Sequence, residues 1–298
     1  MTLARSVVVQ SVLYNNPAED LLRAAAAAAH SAAFAVNSGD ISTWSLHLGD
    51  CSPTAVLDDA DQIRFRRSVE DRGGSFSYEF FDGNLGSAAG HNRLAAGSES
   101  ELMLILNPDA QVAPDTITEL ARTCGGEVGM VEARQVPFEH PKEYERYTGN
   151  TSWASTACAM TTRSAFDALN GFDSATFFLY CDDVDYSWRI RLNGLRVVYQ
   201  PAAAVFHDKR LLVSGDWPAS AAEIYYSAEA ALMLAHKFSR PDVLTRLESR
   251  YERNSEEAVQ KALVEFRARR SAGKLPTPID PDHRVAQFVN GNYSVHRF

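Results

Sequence analysis

Short apolar runs recur along the first 200 residues, and a longer segment of helical pattern follows most of them. Runs of β-branched and aromatic residues predict strands, whereas apolar positions repeated every three or four residues predict helices. The predicted strands cover 6–13, 43–48, 75–81, a run within 102–109, 127–133, 156–161 and 195–199. The predicted helices between them cover 17–36, 54–72, 85–97, 114–123 and 163–169. This alternation is typical of βαβ units and predicts an α/β fold with a mostly parallel sheet.

The run LMLILNPD at 102–109 is the most uniformly apolar of these strands, and it stops abruptly. Such a run predicts a strand buried on both faces in the middle of a sheet. The strand must end at Pro108, which lacks the N–H that a central strand needs. Asp109 therefore follows the carboxyl edge, where open α/β sheets bind ligands. We predict that Asp109 holds a divalent cation that in turn holds a diphosphate; a simple NPDA turn is the alternative.

Polar side chains follow three of the predicted strands at the point where each ends. These pairs are Tyr14 with Asn15, Asp50 with Ser52, and Asn107 with Asp109. Because parallel strands place their carboxyl ends on one side of a sheet, we expect the three pairs to converge on one cleft.

A second informative stretch, 171–194, combines an aromatic run with three nearby acids, Asp182, Asp183 and Asp185. The spacing of later apolar residues predicts that these acids begin a helix, with Asp182 as its N-cap. Like charges this close repel each other unless a cation or the nearby Arg189 and Arg191 compensate them. A carboxylate beside like charges has a raised pKa and can act as a general base. The alternative is an acidic helix start without function.

Composition narrows the choice of partner and compartment. The chain has 298 residues, 45% of them hydrophobic and 22% charged, with a net charge of −9. This acidity argues against nucleic acid as a partner, and an anionic substrate would need a local cation. The four cysteines form no CxxC pair, so we expect reduced thiols in a cytoplasmic protein. We expect neither a targeting segment nor a membrane span, because the alanine-rich stretch 24–36 is too short.

The last third of the chain predicts a helical extension, and we place the boundary between residues 1–215 and 216–298. Helices are predicted at 219–238 and 241–270, followed by an extended segment at 274–282. Basic residues cluster at the end of the second helix: Arg267, Arg269, Arg270 and Lys274. They indicate either a solvated helix end or a peripheral contact with the inner face of a membrane. The sequence also leaves open a homodimer and a lid formed by the polar loop 137–149.

Six features in this order resemble the family 2 glycosyltransferases of the GT-A fold, over about residues 6–210. They are YNN at 14–16, D-x-S at 50–52, NLGSAAGHN at 84–92, NPDA at 107–110, GFD…FFLYCDDVDYSWR at 171–189, and xPxAxVxH ending at His207. The NPD form is similar to the rhamnosyltransferase-like branch, where it often replaces DxD. The resemblance implies a Rossmann-like, mostly parallel mixed sheet flanked by helices.

The resemblance also implies roles on the donor side of a site. Tyr14 and Asp50 would hold the base of a nucleotide-sugar, and Asn84 would line the nucleotide site. Asp109 would bind Mn²⁺ or Mg²⁺ on the donor diphosphate, with His207 as a second metal ligand. Asn107 would belong to the donor site, in the place of the first carboxylate of DxD, so the metal would be held weakly or through water.

On the acceptor side, Asp183 would be the catalytic base, with Asp182 and Trp153 beside the acceptor. Asp182 replaces the Glu that is more usual in the family, which changes the reach by one methylene.

The predicted function is an inverting, metal-dependent transfer of a sugar from a UDP- or dTDP-sugar, with rhamnose as one candidate. The acceptor would be a hydroxyl of a glycan, a lipid-linked compound or a small molecule. A catalytically silent nucleotide- or sugar-binding scaffold is the first alternative. A nucleotidyltransferase is the second, but the chain has no glycine-rich basic loop near Tyr14 to hold a triphosphate.

Overall fold

A computed structural model describes residues 5–137, 143–207 and 219–293 of the chain. Its strands are β1 (Arg5–Leu13), β2 (Ile41–Asp50), β3 (Ser75–Phe80), β4 (Leu102–Leu106), β5 (Ala110–Val112), β6 (Val128–Val136), β7 (Cys158–Thr162) and β8 (Arg196–His207). Its helices are α1 (Ala18–Asn37), α2 (Asp59–Glu70), α3 (Gly86–Ala96), α4 (Thr116–Thr123), α5 (Arg163–Ala168), α6 (Asp182–Leu192), α7 (Ala221–Lys237), α8 (Pro241–Glu252) and α9 (Glu257–Ser271).

The described strands form one sheet in the order β3-β2-β1-β4-β7-β6-β8-β5. The first four are parallel neighbours, and helices connect them in sequence. β7 then runs antiparallel to both β4 and β6, and β5 runs antiparallel to β8. β6 and β8 are parallel. The predicted α/β class with a mixed, mostly parallel sheet is confirmed.

The core lies on both faces of the central strands. Every residue of β4 is buried, as its unbroken apolar run predicts. On one face, α1 packs against the sheet through small side chains, since six of its alanines are buried. Alanine at helical spacing permits a close approach of helix and sheet. The alanine-rich stretch is thus a core-facing helix, and among the described residues no helix is long and apolar enough to cross a bilayer.

Two strand features near the end of the sheet differ from the prediction. β8 does not stop at Pro201 but continues to His207. Its pairing with β6 shifts register after Gln200, so Pro201 lies in an irregularity and its missing N–H breaks no regular ladder bond. β5 was not predicted, because three residues after a turn carry too little pattern. It pairs Ala110 with His207, which places His207 beside Asp109.

The C-terminal extension differs from the prediction in one respect. The single helix predicted at 241–270 is two helices, α8 and α9, that are separated by residues 253–256. The amide of Gln260 donates to backbone oxygens of Tyr251, Glu252 and Asn254, which satisfies carbonyls at the end of α8.

The extension packs on the sheet domain through a shared apolar cluster. Trp188 of α6 makes an edge-to-face contact with Phe238, with ring centroids 4.8 Å apart. Leu232 and Phe266 are buried in the same cluster. The predicted boundary between residues 215 and 216 lies outside the described residues and stays a prediction. Side chains from before and after it are buried in the same cluster.

Candidate active site

The ends of β1 and β2 meet at the carboxyl edge of the sheet. In the parallel register Leu13 lies opposite Asp50, so the polar residues that follow are neighbours. The backbone N–H of Asn15 donates to the Ser52 hydroxyl at 2.8 Å. On the other side of β1, Ile105 of β4 lies opposite Gln10. Continuing that register places Asn107 level with the end of β1, so the three predicted polar pairs share one edge.

Asp109 and His207 form the first part of the candidate site. The Nε2 atom of His207 lies 3.3 Å from Asp109 Oδ1 and 3.3 Å from the amide nitrogen of Asn107. The Nδ1 atom lies 2.9 Å from the side-chain oxygen of Gln135, which can only accept a hydrogen bond. With this orientation of the Gln135 amide, Nδ1 is the donor to its oxygen, and the lone pair of Nε2 faces Asp109 and Asn107.

This donor set fits a hard divalent cation. A neutral imidazole nitrogen and a carboxylate oxygen are both acceptors, so their proximity is favoured by a cation between them. Among the described residues, His, Cys, Asp and Glu form no group of three or more that could hold a metal. The protein would thus supply two ligands here, and a cation would take the others from water or phosphate oxygens, as Mg²⁺ commonly does.

The acidic pair begins α6 after an unusual turn. Tyr180 and Cys181 both adopt left-handed backbone angles, with φ of 67° and 55°. Such angles cost energy for residues with side chains and often mark functional segments. The N-cap is Cys181, so the prediction that Asp182 caps the helix is wrong. Asp182 and Asp183 instead occupy the first helical positions.

The two acids have different environments. Asp182 is buried, and burial raises the pKa of its carboxyl, with the charge of Asp183 adding to the effect and a hydrogen bond to Ser87 opposing it. Asp183 is half-buried, and its Oδ1 accepts a hydrogen bond of 2.8 Å from the N–H of Val184. Burial therefore favours a proton on Asp182 and leaves Asp183 as the carboxylate nearer to solvent.

The third acid, Asp185, belongs to a buried ion network. Its Oδ2 lies 2.7 Å from Arg189 Nε, and its Oδ1 lies 2.5 Å from Lys237 Nζ of α7. Lys237 also reaches Asp173 at 2.6 Å. The sequence indicated that Arg189 and Arg191 compensate the acids; Arg189 does so, whereas Arg191 donates to the backbone of the C-terminal segment. Lys237 was missed because it is distant in sequence.

One short segment, 154–157, links the two halves of the site. The N–H of Asn107 donates to the carbonyl of Ala157 at 2.9 Å. The N–H of Ala154 donates to the hydroxyl of Ser187, which donates to the carbonyl of Asp183 at 2.7 Å. Three residues span at most about 11 Å. The turn that carries Asp109 and the helix start that carries Asp183 therefore lie at the same edge of the sheet.

The start of α3 closes the site on another side. Asn84 accepts a hydrogen bond of 3.1 Å from the N–H of Gly86, and Ser87 N–H donates to the carbonyl of Phe178. Gly86 has φ of 74°, and a Cβ there would lie 2.3 Å from the Phe178 oxygen. Only glycine fits this close approach. Asn84 thus lies beside the loop that leads into the acidic pair.

Asp50 lies inside a loop at the predicted base site. Its carboxylate is fully buried and accepts hydrogen bonds from Ser52 N–H, Val56 N–H and the Tyr78 hydroxyl. Burial and this hydrogen bond raise the pKa of Tyr78. Asp50 therefore shapes the loop 51–56, while Tyr14 next to it is 52% exposed. Contact of either residue with a base stays a prediction.

The two remaining predicted elements are Trp153 and the polar loop 137–149. Trp153 is buried, and its ring meets Tyr293 edge-on at 5.3 Å. Its predicted place on the acceptor side stays untested. Of the predicted lid 137–149, residues 138–142 lie outside the described part of the chain, and residues 143–148 are exposed.

Comparisons with known proteins give partial matches in sequence and a match in fold. No family model matches the chain. The N-acetylglucosaminyl-diphospho-decaprenol L-rhamnosyltransferase of Mycobacterium tuberculosis is 42% identical over 57 residues, 19% of this chain and 18% of that protein. Rhamnosyltransferase WbbL of Escherichia coli is 34% identical over 67 residues, 22% of this chain and 25% of that protein. The matched stretches thus span no more than about a quarter of these curated relatives.

Solved structures match over nearly the whole chain. The mannosyltransferase PcManGT from Pyrobaculum calidifontis, in complex with GDP-Man and Mn²⁺, has a TM-score of 0.54 at 15% identity, covering 94% of this chain and 78% of that one. GalNAc-T7, with UDP, GalNAc and Mn²⁺, has a TM-score of 0.59 at 10% identity, covering 93% and 59%. The fold is that of the GT-A glycosyltransferases, and the resemblance to family 2 glycosyltransferases is confirmed.

Proposed function

We propose that this chain is an inverting, metal-dependent glycosyltransferase that moves a sugar from a nucleotide diphosphate to an acceptor hydroxyl. The observation that carries the proposal is the contact of Asp109 with His207, at a turn that the segment 154–157 links by hydrogen bonds to the helix start with Asp183. That edge is where α/β sheets of this kind bind ligands. The local similarity to rhamnosyltransferases and the glycosyltransferase fold support the same conclusion.

On the donor side, Asp109 and His207 would hold Mn²⁺ or Mg²⁺. The cation would offset the charge of the leaving diphosphate. Asn107 supplies no negative charge, so the protein alone would hold the cation weakly and the diphosphate would complete its coordination. The donor is a UDP- or dTDP-sugar, with rhamnose favoured by the names of the sequence relatives. Tyr14 and the Asp50 loop would hold the base, and Asn84 would line the nucleotide site.

On the acceptor side, Asp183 would take the proton of the attacking hydroxyl. Burial raises the pKa of the Asp182 carboxyl, which favours a neutral Asp182 beside the proposed base Asp183. Attack from the face opposite the diphosphate inverts the anomeric carbon. The acceptor is a glycan, a lipid-linked compound or a small molecule, and Trp153 would support its side of the site.

The arginines at the end of α9 are paired with carboxylates, so little of their charge is available for contact with an anionic membrane. Arg267 and Arg270 pair with Glu248, Arg267 also pairs with Glu252, and Arg269 pairs with Glu229. This pairing favours a solvated helix end, and a contact of the protein with a lipid-linked acceptor would need another surface.

The proposal is tested by the variant Asp183→Asn, with Asp59→Asn on the exposed start of α2 as the matched control. Release of nucleotide from UDP-, dTDP- and GDP-sugars is measured with Mn²⁺ present, and donor binding is measured by calorimetry. We expect a loss of roughly 100-fold or more in turnover for Asp183→Asn with donor binding retained. Near-normal turnover in that variant would refute its role, and donor binding without any turnover in the native protein would favour a silent scaffold.

A further inference from the structure

A cavity of about 560 Å³ lies away from the candidate active site, between the end of α6, the start of β8 and the C-terminal segment. Its walls include Arg191, Arg196 and Arg284. Arg191 and Asp183 lie toward opposite ends of α6, about 12 Å apart along its axis. Arg196 and His207 lie at opposite ends of β8, roughly 35 Å apart for an extended strand. The cavity is thus separate from the edge that carries Asp109 and Asp183.

Among the described residues, no carboxylate lies within hydrogen-bond distance of the three guanidinium groups of this cavity. Arg191 donates to the backbone oxygens of Val285, at 3.0 Å, and Ser152. Arg196 donates to the side-chain oxygen of Asn150 at 3.2 Å. The side chain of Arg284 makes no hydrogen bond or ion pair within the described part of the chain.

The Nε atom of Arg196 is buried and has no hydrogen-bond partner among the described residues. The carboxylate of Glu127 lies 3.9 Å from it, which is beyond hydrogen-bond reach, and the Glu127 side chain is 87% exposed. We regard this pair as a weak, solvent-screened contact. A donor that is buried and unsatisfied costs stability unless a ligand or water completes it.

These arginines differ from those at the end of α9, each of which has a carboxylate within hydrogen-bond distance. In a chain of net charge −9, this cavity is lined by three arginines, two of which have neutral hydrogen-bond partners, against the two carboxylates of Glu143 and Glu145. Neutral hydrogen-bond partners orient a guanidinium without cancelling its charge, which prepares it for an anion. Glu143 and Glu145 also line the cavity. They can accept hydrogen bonds from hydroxyl groups of the same ligand.

We propose that this cavity is a second ligand site, and that Arg196 and Arg284 bind the phosphate group of a small soluble molecule there. Arg191 forms a rigid part of the cavity lining, because its guanidinium already donates hydrogen bonds to backbone oxygens of two segments. A concave site of this size suits a small molecule and not an extended membrane surface.

The site is tested by calorimetry with inorganic pyrophosphate on the full chain, in EDTA so that the metal-dependent site does not contribute. We expect pyrophosphate to bind, and Arg196→Gln and Arg284→Gln each to weaken it about tenfold, as the loss of one charge-assisted hydrogen bond implies. Arg284 is exposed, so its variant keeps the test valid if Arg196→Gln folds poorly.

Arg67→Gln, at an 83% exposed side chain on α2, is the matched control and should bind as the native protein does. Asp109→Ala should also leave binding unchanged, which separates this site from the proposed donor site. Absence of pyrophosphate binding, or binding lost in Asp109→Ala and kept in both arginine variants, would overturn the proposal. Binding of phosphatidylglycerol vesicles without binding of pyrophosphate would overturn the assignment to a soluble ligand.

Discussion

Lys237 Nζ lies 2.5 Å from Asp185 Oδ1, and this contact joins the last residue of α7 to the helix that carries Asp183. Both side chains are buried, Lys237 at 6% exposure and Asp185 at 0%. Arg189 completes the network by donating to the carbonyls of Leu169 and Gly171 at 2.9 Å. The network ties the helical extension to the start of α6 and leaves Asp182 and Asp183 as the acids of the candidate site.

Replacing Lys237 with methionine should destabilise the protein by about 3–5 kcal/mol, because Asp185 and Asp173 lose a buried counter-charge. The measurement is the free energy of unfolding in urea. Lys274→Met, at an exposed lysine of the same extension, should change it by less than about 0.5 kcal/mol. The double variant Asp185→Asn with Lys237→Met should recover part of the loss. Equal stability of Lys237→Met and the native protein would show that the ion network contributes nothing.

Asp182→Asn should change how stability depends on pH. The folded protein raises the pKa of the Asp182 carboxyl above its unfolded value, so the folded state holds the proton more tightly. The associated stability is present below the unfolded pKa and is lost as pH rises through the folded pKa. Burial raises this pKa from 3.8 to about 7, so relative to Asp182→Asn the native protein should lose about 4 kcal/mol between pH 4 and pH 8.

This pH dependence is measured by urea unfolding at both pH values, with Asp59→Asn as a control at an exposed acid. The control should follow the native protein at each pH. Parallel pH curves for Asp182→Asn and the native protein would contradict the raised pKa of the buried carboxyl.

Asp109→Ala should remove the metal dependence of donor binding. Asp109 Oδ1 lies 3.3 Å from His207 Nε2, and these two atoms are the proposed protein ligands of the metal. In calorimetry, Mn²⁺ should strengthen donor binding to the native protein and have no effect on the variant. His207→Gln should show a partial loss of roughly tenfold or more. Unchanged metal-dependent affinity in Asp109→Ala would place the cation elsewhere.

Gly86→Ala tests the close approach of α3 to the loop before α6. Gly39→Ala is a matched control, because Gly39 has a similar φ of 77° but open space around its Cβ position. Both variants carry the backbone cost of a left-handed alanine, about 1 kcal/mol. Gly86→Ala adds the clash with Phe178 and should be destabilised by about 1–3 kcal/mol more in thermal unfolding. Equal losses would show that this contact relaxes without cost.

Much of the fold follows from local patterns of the sequence. The strand–helix alternation predicted the elements up to β3 and α3 within a few residues. The strand β4 was predicted from its continuous apolar run, which is the pattern of a strand buried on both faces. The order of the motifs also pointed to the fold class. β5 and the continuation of β8 to His207 were missed, since a three-residue strand and a strand through Pro201 are decided by their pairing partners.

The sequence by itself determined which residue types stand at strand ends and helix starts, and hence the candidates Asp109, Asp183 and His207. Only the tertiary structure decided which acids remain available for chemistry. It buried Asp185 against Lys237, enclosed Asp50 in its loop, and put His207 beside Asp109 through the β5–β8 pairing. The physical reason is that local pattern reports burial and backbone geometry, whereas the charge and protonation of an acid depend on groups that are far away in sequence and adjacent in space.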